Sequence, residues 1–392
     1  MRDENGNPRT PRNPSTGLPN LGKNDHGIFI PDPNTVSTVA RMWMSSQGMF
    51  KRSVRVLKTP NVLKAARKHF SCPTLEGVDL ENQGGAGTDS AHFEKRVVQD
   101  EIMAGSIGKH GFVSILTLSY FLDTGWYNVN LSKAEPWKWG EDLGCDFILK
   151  SCYQYMMEHK AANRSISPWC DQVASKNTRC LQYDNAYGTC NLHQLGHVLG
   201  DEFQYFDKLP GVGSGLLSLY GSDNFLADYC PSYLARETAS HLPTTFCSDI
   251  ENQNNLDART NMELQTYGED SICLNHDSQA SWVQYECSNV TRLPSIRASC
   301  HKRECSSTTG LLIHIDLNIF QCPLMGGKIR IDTTSTFVHL TGSIDCPPCS
   351  DICEESCTLV PSTSNRAMPL TSKATCYVTY RIIPDFTVKS KT

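Results

Sequence analysis

The chain has 392 residues, of which 39% are hydrophobic, and this is enough to fill the cores of two or three domains. Such a composition excludes an intrinsically disordered protein. Lysine and arginine number 36 against 41 aspartate and glutamate residues, so the formal net charge is -5. Because no run of basic residues forms a patch for phosphate groups, we expect no nucleic acid partner.

Cysteine usage points to an oxidising compartment. The chain has 18 cysteines, most of them from Cys152 onward, which indicates a disulfide framework. The N-x-S/T sequences at Asn130, Asn163 and Asn289 agree weakly with secretion. Residues 1–30 nevertheless lack the apolar stretch of a secretory signal. We therefore expect an upstream segment to carry the signal, and the full protein to be extracellular or membrane-associated, with a cytoplasmic location as the alternative.

Membrane attachment is not encoded in these residues. No run reaches the ~18 to 20 apolar residues of a membrane-spanning helix. The chain also ends without the hydrophobic tail that directs a lipid anchor. Association of the full protein with a membrane or cell surface stays open.

The first part of the chain predicts short helices separated by loops. Residues 34–45 have apolar positions compatible with a helix. Thr59 as N-cap and Pro60 in the first turn begin a second helix, which ends near Cys72. A glycine-rich loop follows, and residues 94–99 add a helical turn. Residues 112–122 predict a buried helix that is closed by Gly125.

From residue 150 the chain changes to short segments punctuated by cysteines and turn residues. We predict a boundary near residue 148, which gives domains 1–148 and 149–392. The predicted fold class is α+β, with a disulfide-rich, mixed C-terminal domain.

His92 and Met103 are the candidate site residues of the first domain. A lone histidine is most often a surface or core residue, and a lone methionine is usually core filler. A catalytic zinc takes three protein ligands and an open position for water, whose pKa falls to about 7. One imidazole cannot form such a site. Glu94 and Glu101 lie near a turn, where charged residues are usually solvated or paired, so we assign them no catalytic role.

A second histidine pair, His193 and His197, imitates a zinc-binding helix, since residues four apart share a helical face. Gln194 stands where the HExxH motif has its general base. A neutral amide cannot take a proton from metal-bound water. We interpret the pair as non-catalytic, with a chance metal site as the alternative.

The C-terminal cysteines Cys346, Cys349, Cys353 and Cys357 allow two interpretations. A CxxC pair is a common structural zinc ligand. Among so many other cysteines, disulfides are favoured. The pairing cannot be deduced from the sequence.

The passage from residue 82 to 147 resembles the leishmanolysin family of zinc metalloendopeptidases, and within it the animal leishmanolysin-like peptidases. The resemblance rests on residues 89–96, 100–105, 123–127, 133–135, 139–140 and 144–147. Residues 2–11, 72–77, 205–207 and 228–231 also fit it.

This resemblance implies the downstream part of a metzincin-like catalytic unit with one zinc ion. His92 would be the third zinc ligand, and Met103 the Met-turn beneath the metal. HExxH, which supplies the first two ligands and the general base, does not occur in the 392 residues. No catalytic residue is therefore assigned.

We expect a zinc-dependent metalloendopeptidase that acts on proteins or peptides through metal-activated water. The chain alone is expected to be inactive because the helix with HExxH is absent from it. The alternative is a non-catalytic, disulfide-rich module for binding or cell adhesion.

Overall fold

The structure is a computed structural model that describes most of residues 1–357. Outside the description lie residues 2, 4, 21–30, 86, 109–110, 174–176, 182–183, 237–243, 255–260, 262, 278–282, 287–288, 293–296, 336–338, 354–356 and 358–392. The chain divides into two compact units, residues 1–246 and residues from 247 onward. The predicted boundary near residue 148 falls inside the first unit, and a separate role for the residues before it stays a prediction.

The first unit combines helices with small antiparallel sheets. Its elements are β1 (Val36–Ser45), β2 (Gly48–Leu57), α1 (Pro60–His69), β3 (Val78–Asp79), α2 (Lys95–Val98), α3 (Ile115–Thr124), α4 (Gly144–Leu149), α5 (Cys152–Ala161), β4 (Thr178–Cys180), β5 (Tyr187–Cys190), β6 (His193–Gln194), β7 (Tyr220–Gly221) and β8 (Tyr233–Ala235). Strands β1, β2 and β3 form one sheet, β4, β5 and β8 a second, and β6 pairs with β7.

The helix predicted over residues 34–45 is wrong, because this segment is strand β1. It pairs with β2 in a hairpin whose register runs from Val36 opposite Leu57 to Ser45 opposite Gly48. Toward its end, alternate side chains are buried, which is the period of a strand with one face on a core. Pairing with a neighbouring strand decided the structure over the helical pattern.

The predicted helices at residues 60 and 112 are confirmed as α1 and α3. Gly125 ends α3 in the left-handed conformation, with φ 69°, as expected for a C-cap. Thr59 occupies the N-cap position of α1, but its side chain makes no capping hydrogen bond. The carboxylate of Asp123 on α3 caps α1 instead, since it accepts from the backbone N–H groups of Asn61 (3.0 Å) and Val62 (3.1 Å).

Aromatic rings fill the core around α4. Phe147 stacks on Trp169 with centroids 5.6 Å apart, and Trp139 meets Trp169 edge-on at 5.5 Å. The chain passes this cluster at Gly140, which has φ +74° and lies so close that a Cβ would come within 2.7 Å of Phe70. Only glycine meets both requirements.

Beneath the hairpin lies a buried charged cluster. Its members are Arg41, Arg52, Asp79, Arg96 and Asp228. Asp228 accepts from Arg52 (Nη2–Oδ1, 2.8 Å) and lies 3.4 Å from Nε of Arg96, while Asp79 accepts from Arg41 (Nη2–Oδ1, 2.8 Å). The Trp43 ring lies under the guanidinium of Arg52, with a centroid distance of 4.2 Å. The cluster joins β1, β2, β3, α2 and the loop at residue 228.

The second unit is built on one large antiparallel sheet. Its elements are α6 (Ile250–Asn254), β9 (Ser271–His276), β10 (Val283–Glu286), β11 (Asn289–Arg292), β12 (Ala298–Ser306), β13 (Gly310–Ile315), β14 (Asn318–Gln321), β15 (Gly327–Thr334), β16 (His339–Cys346) and α7 (Cys349–Ile352). The strand order is β11-β10-β16-β9-β12-β13-β14, with β15 paired to β16. Buried aliphatic side chains such as Ile313, Ile331 and Leu340 form its core.

Every cysteine in the described part of the chain is disulfide-bonded, which confirms the predicted framework. The resolved pairs are Cys72–Cys145, Cys152–Cys230, Cys170–Cys190, Cys247–Cys300, Cys305–Cys353, Cys322–Cys346 and Cys349–Cys357. The zinc alternative for the C-terminal cysteines is therefore wrong, because each is paired with another cysteine. Cys287 and Cys376 lie outside the described residues.

The helices of the first unit and the large antiparallel sheet of the second make the fold class α+β, as predicted. Among the residues that the structure describes, no helix has the length and apolar character needed to cross a bilayer.

The buried charged cluster predicts a large loss of stability for Asp228→Asn. Asparagine tolerates the left-handed backbone at this position (φ 54°) but leaves the guanidiniums of Arg52 and Arg96 without their shared carboxylate. We expect chemical denaturation to show a loss of about 3 kcal/mol in the free energy of unfolding. The control is Asp89→Asn, at the exposed pair with Arg55 (3.8 Å), for which we expect less than about 1 kcal/mol. Equal losses would contradict this account of the cluster.

A buried histidine pair predicts that the second unit is sensitive to acid. The hydroxyl of Ser299 lies 2.7 Å from Nε2 of both His276 and His301. Burial, followed by the charge of His276, lowers the pKa of His301 from 6.5 to about 3. Since protons then bind the unfolded state more tightly, stability is complete above pH 6.5 and falls as the pH drops toward 3, by up to about 1.4 kcal/mol per pH unit.

The measurement is the free energy of unfolding of the second unit against pH, from hydrogen exchange in β9 and β12. His301→Gln should flatten the acid limb, whereas His314→Gln, at a partly exposed site, should not. Glu263, whose pKa is raised by burial, acts in the opposite sense, so the comparison of variants isolates His301. An unchanged limb in His301→Gln would refute the assignment.

Candidate metal and peptide cleft

The loop that precedes His92 is held at both of its ends. At the start, the backbone N–H of Glu81 donates to the carbonyl of His92 (3.0 Å). At the other end, the N–H of Ser90 donates to the carbonyl of Glu81 (2.8 Å). Gly84, Gly85 and Gly87 all have positive φ, which lets the loop turn tightly enough to close this way.

His92 presents one ring nitrogen to a carbonyl and keeps the other free. Nδ1 lies 3.3 Å from the carbonyl oxygen of Thr88, which can only accept, so Nδ1 carries the proton. Within the described residues, Nε2 has no hydrogen-bond partner. Histidines that bind metals commonly donate one ring N–H to a backbone carbonyl in this way, which fixes the tautomer and leaves the other nitrogen for the metal.

Met103 lies in a tight turn that contacts the segment of His92. The N–H of Ala104 donates to the carbonyl of Glu101 (2.9 Å), which closes a β-turn around Met103. The carbonyl of Met103 accepts from the N–H of Phe93, at 2.8 Å. The backbone therefore places the turn directly beside the residue that follows His92.

His92 and Met103 face the same cleft, whose volume is about 290 Å³. Its wall is formed mainly by apolar or small residues: Met1, Thr10, Pro31, Thr35, Val36, Leu57, Leu80, Ser90, Ala91, Phe93 and Tyr120. Asp32 adds one carboxylate to the wall. The structure thus brings together the two residues that the sequence singled out, in a cleft whose wall is mainly apolar.

Two buried carboxyl groups lie behind His92, on the side of the buried charged cluster. Burial, followed by the charges of Asp228 and Glu81, raises the pKa of Glu94 well above its usual value. Burial also raises the pKa of Glu81 to about 7, against the lowering effect of the backbone N–H groups that it accepts. Glu94 accepts from the side-chain amide of Asn82 at 2.5 Å. Its partners are inside the fold, which agrees with assigning it no catalytic role.

The described residues supply one candidate ligand of a zinc site and not a complete set of ligands. His92 lines the cleft and has one ring nitrogen that is not hydrogen-bonded within the described residues, as a metal ligand requires. In the part of the chain that the structure describes, no group of three or more His, Cys, Asp or Glu side chains could hold a metal ion. These residues by themselves therefore support no reaction step through a metal.

The histidine pair at residues 193 and 197 does not form a helical site. His193 lies on the short strand β6, and its Nδ1 contacts the carbonyl of Asn191 at 2.9 Å. His197 is exposed and meets the ring of Tyr229 edge-on at 6.3 Å. Neither lines the cleft of His92, which supports the non-catalytic interpretation.

Sequence reasoning missed several residues that line the cleft or contact the segment of His92. The carbonyl of Thr88 carries no sequence signal, since every residue has one. Tyr120, at the cleft wall, was assigned only to a buried helix. Asp228 was singled out only because residues 228–231 fit the family resemblance. Only the structure shows that its carboxylate pairs with the guanidinium of Arg96.

Comparison with known proteins agrees with this geometry. The family model described as leishmanolysin matches residues 35–359. The chain is 34% identical to the leishmanolysin-like peptidase of Drosophila melanogaster over 359 residues, which are 90% of this chain and 52% of the relative. It is 33% identical to that of Caenorhabditis elegans over 90% of this chain and 54% of the relative, and 27% identical to leishmanolysin of Leishmania major over 77% and 45%.

The chain spans about half the length of the curated animal relatives that it matches. Both the extent of the family match and the identity to the animal relatives exceed what chance similarity gives, and they agree with the resemblance in residues 82–147. The chain therefore belongs to the leishmanolysin family of metalloendopeptidases.

Proposed function

We propose that this chain contributes the third zinc ligand, the Met-turn and part of the substrate cleft to a zinc-dependent metalloendopeptidase. The observation that carries the proposal is the geometry of His92, whose Nδ1 lies on the carbonyl of Thr88 and which lines a cleft together with Met103. Membership of the family supports the same conclusion. Its substrates would be proteins or peptides.

In such an enzyme, a bound zinc ion would supply an activated water for the hydrolysis of a peptide bond. The residues of this chain would do three things. His92 would bind the metal through Nε2, with its ring orientation set by Thr88. Met103 would close the cleft beside His92, and the apolar wall around Val36 and Leu57 would receive a side chain of the substrate.

We propose that a chain with only these groups does not cleave proteins or peptides. The 392 residues contain no HExxH, and the described residues hold no group of three or more His, Cys, Asp or Glu side chains that could bind a metal. In our proposal the described residues supply neither the other two ligands nor the general base that the HExxH motif of the family provides.

An extracellular or cell-surface location is part of the proposal. It is supported by the disulfide bonds of all the described cysteines, in both units. Such a framework persists in secreted proteins and is rare where thiols are kept reduced.

The alternative is a non-catalytic, disulfide-rich binding or adhesion module. One observation favours it: the described residues hold no complete metal site. The two functions differ in what the intact protein does with zinc, which the following experiments measure.

Metal analysis of the purified 392-residue chain should show well under one zinc per molecule and no cleavage of a casein substrate. One imidazole leaves zinc without enough protein ligands to be held tightly. Stoichiometric zinc together with proteolysis that a chelator abolishes would contradict this expectation, and His193 and His197 would then need to be tested as ligands.

When the chain is produced together with the HExxH segment of the family, His92→Ala should lower proteolysis by more than about a hundredfold, because a zinc ligand is lost. The matched controls are His193→Ala and His197→Ala, which should keep nearly full activity because neither residue lines the cleft. Expression and disulfide content should be unchanged in all three variants. Activity that survives His92→Ala but is lost in His197→Ala would show that the wrong histidine was assigned.

A further inference from the structure

Glu101 is a fully buried carboxylate (0% exposed) placed between α3 and the turn of Met103. Four donors point at it. Oε2 accepts from the backbone N–H of Met103 at 2.6 Å. Oε1 accepts from the backbone N–H of Ser114 (3.2 Å), the hydroxyl of Ser114 (2.9 Å) and the hydroxyl of Thr117 (2.5 Å).

Capping of α3 does not require this carboxylate. Ser114 is itself the N-cap residue of α3, and its Oγ accepts from the N–H of Leu116 at 3.1 Å. A carboxylate taken out of water is unfavourable unless its hydrogen bonds are satisfied, so an apolar residue would fill the same space at less cost. The carboxylate instead connects two segments. Its Oε1 accepts hydrogen bonds from the start of α3, and its Oε2 accepts one from the turn of Met103.

The connection continues from the turn to His92. The carbonyl of Met103 accepts from the N–H of Phe93 (2.8 Å), and the carbonyl of His92 accepts from the N–H of Glu81 (3.0 Å). Ser114, at the start of α3, is thus linked through Glu101 and Met103 to the N–H of Phe93, which belongs to the peptide that follows His92. Helix α3 is in turn joined to α1 through Asp123, which anchors it in the core.

We propose that Glu101 is a positioning residue, which fixes the Met103 turn to α3 and thereby holds His92 at the cleft. Its role toward the metal rests on the proposed function, but the anchoring itself is a property of this chain. Because all four donors need an acceptor, a glutamine at this position is mismatched: its amide N–H₂ must face at least one N–H or O–H group.

The test is hydrogen exchange of individual amides in the 392-residue chain and in Glu101→Gln. The amides of Phe93 and Met103 should exchange at least about tenfold faster in the variant, since a hydrogen bond to a charged acceptor is lost and the turn opens locally. The amides of α1 should exchange at the rate of the unchanged chain. A merely structural carboxylate would accelerate exchange in α1 and at Phe93 alike.

The matched control is Glu135→Gln. Glu135 is an exposed carboxylate that accepts from the N–H of Val113 (2.7 Å), beside the same end of α3, without touching the turn. It should leave Phe93 and Met103 unaffected. Should Glu101→Gln fail to fold, Thr117→Val removes one donor from Glu101 and should produce a smaller acceleration at the same two amides.

Unchanged exchange at Phe93 and Met103 overturns the proposal, as does acceleration that is uniform across the chain or equal in Glu135→Gln. None of these measurements requires zinc or proteolysis. A protein that proves not to be a protease would leave the anchoring result in place, and a negative exchange result would leave the proposed function untouched.

Discussion

Arg96 carries a positive charge into the interior of the first unit, where its side chain is 1% exposed. A buried charge is tolerated only when it is paired, and removal of one partner is strongly unfavourable. Asp228 and Asp79 supply the pairing, from a loop and a strand that are distant in sequence. Because Arg96 lies four residues after His92, the pairing of the Arg96 charge also fixes the position of the segment that contains His92.

Successive residues of the segment 92–96 have different tasks. His92 faces the cleft, Phe93 is buried in the core and receives the turn of Met103, and Glu94 is a buried acid beside Asn82. Lys95 pairs with Asp100 at 2.7 Å, which ties the segment to the turn from its other side. Of these five residues, only His92 and Phe93 line the cleft, and of these two only His92 has a side-chain group that can bind a metal.

Local features of the sequence were sufficient to predict α1, α3 and the glycine C-cap of α3, because each of them depends on residues that are close in sequence. The strand β1 was missed, since its structure depends on pairing with β2. The cap of α1 was assigned to Thr59 because Asp123, which acts from another helix, gives no local signal. Disulfides were predictable as a class, but not their pairing, and Cys346 and Cys349 bond to different partners despite their spacing. His92 and Met103 were found through the family resemblance. The contacts made by Thr88, Glu101 and Asp228 could be found only from the structure.

The proposed role of His92 depends most directly on its tautomer, which ¹⁵N-resolved NMR of the histidine rings measures in the 392-residue chain. The resonances of His92 would be assigned by their loss in His92→Ala, since His159 and His193 also present Nδ1 to carbonyl groups. We predict that Nδ1 carries a proton and that Nε2 is the ring nitrogen whose resonance shifts when zinc is added in excess, since one imidazole holds the metal only weakly. A ring protonated on Nε2, or one whose Nε2 is unaffected by zinc while that of His193 or His197 shifts, would contradict the central claim that His92 is the metal ligand of this chain.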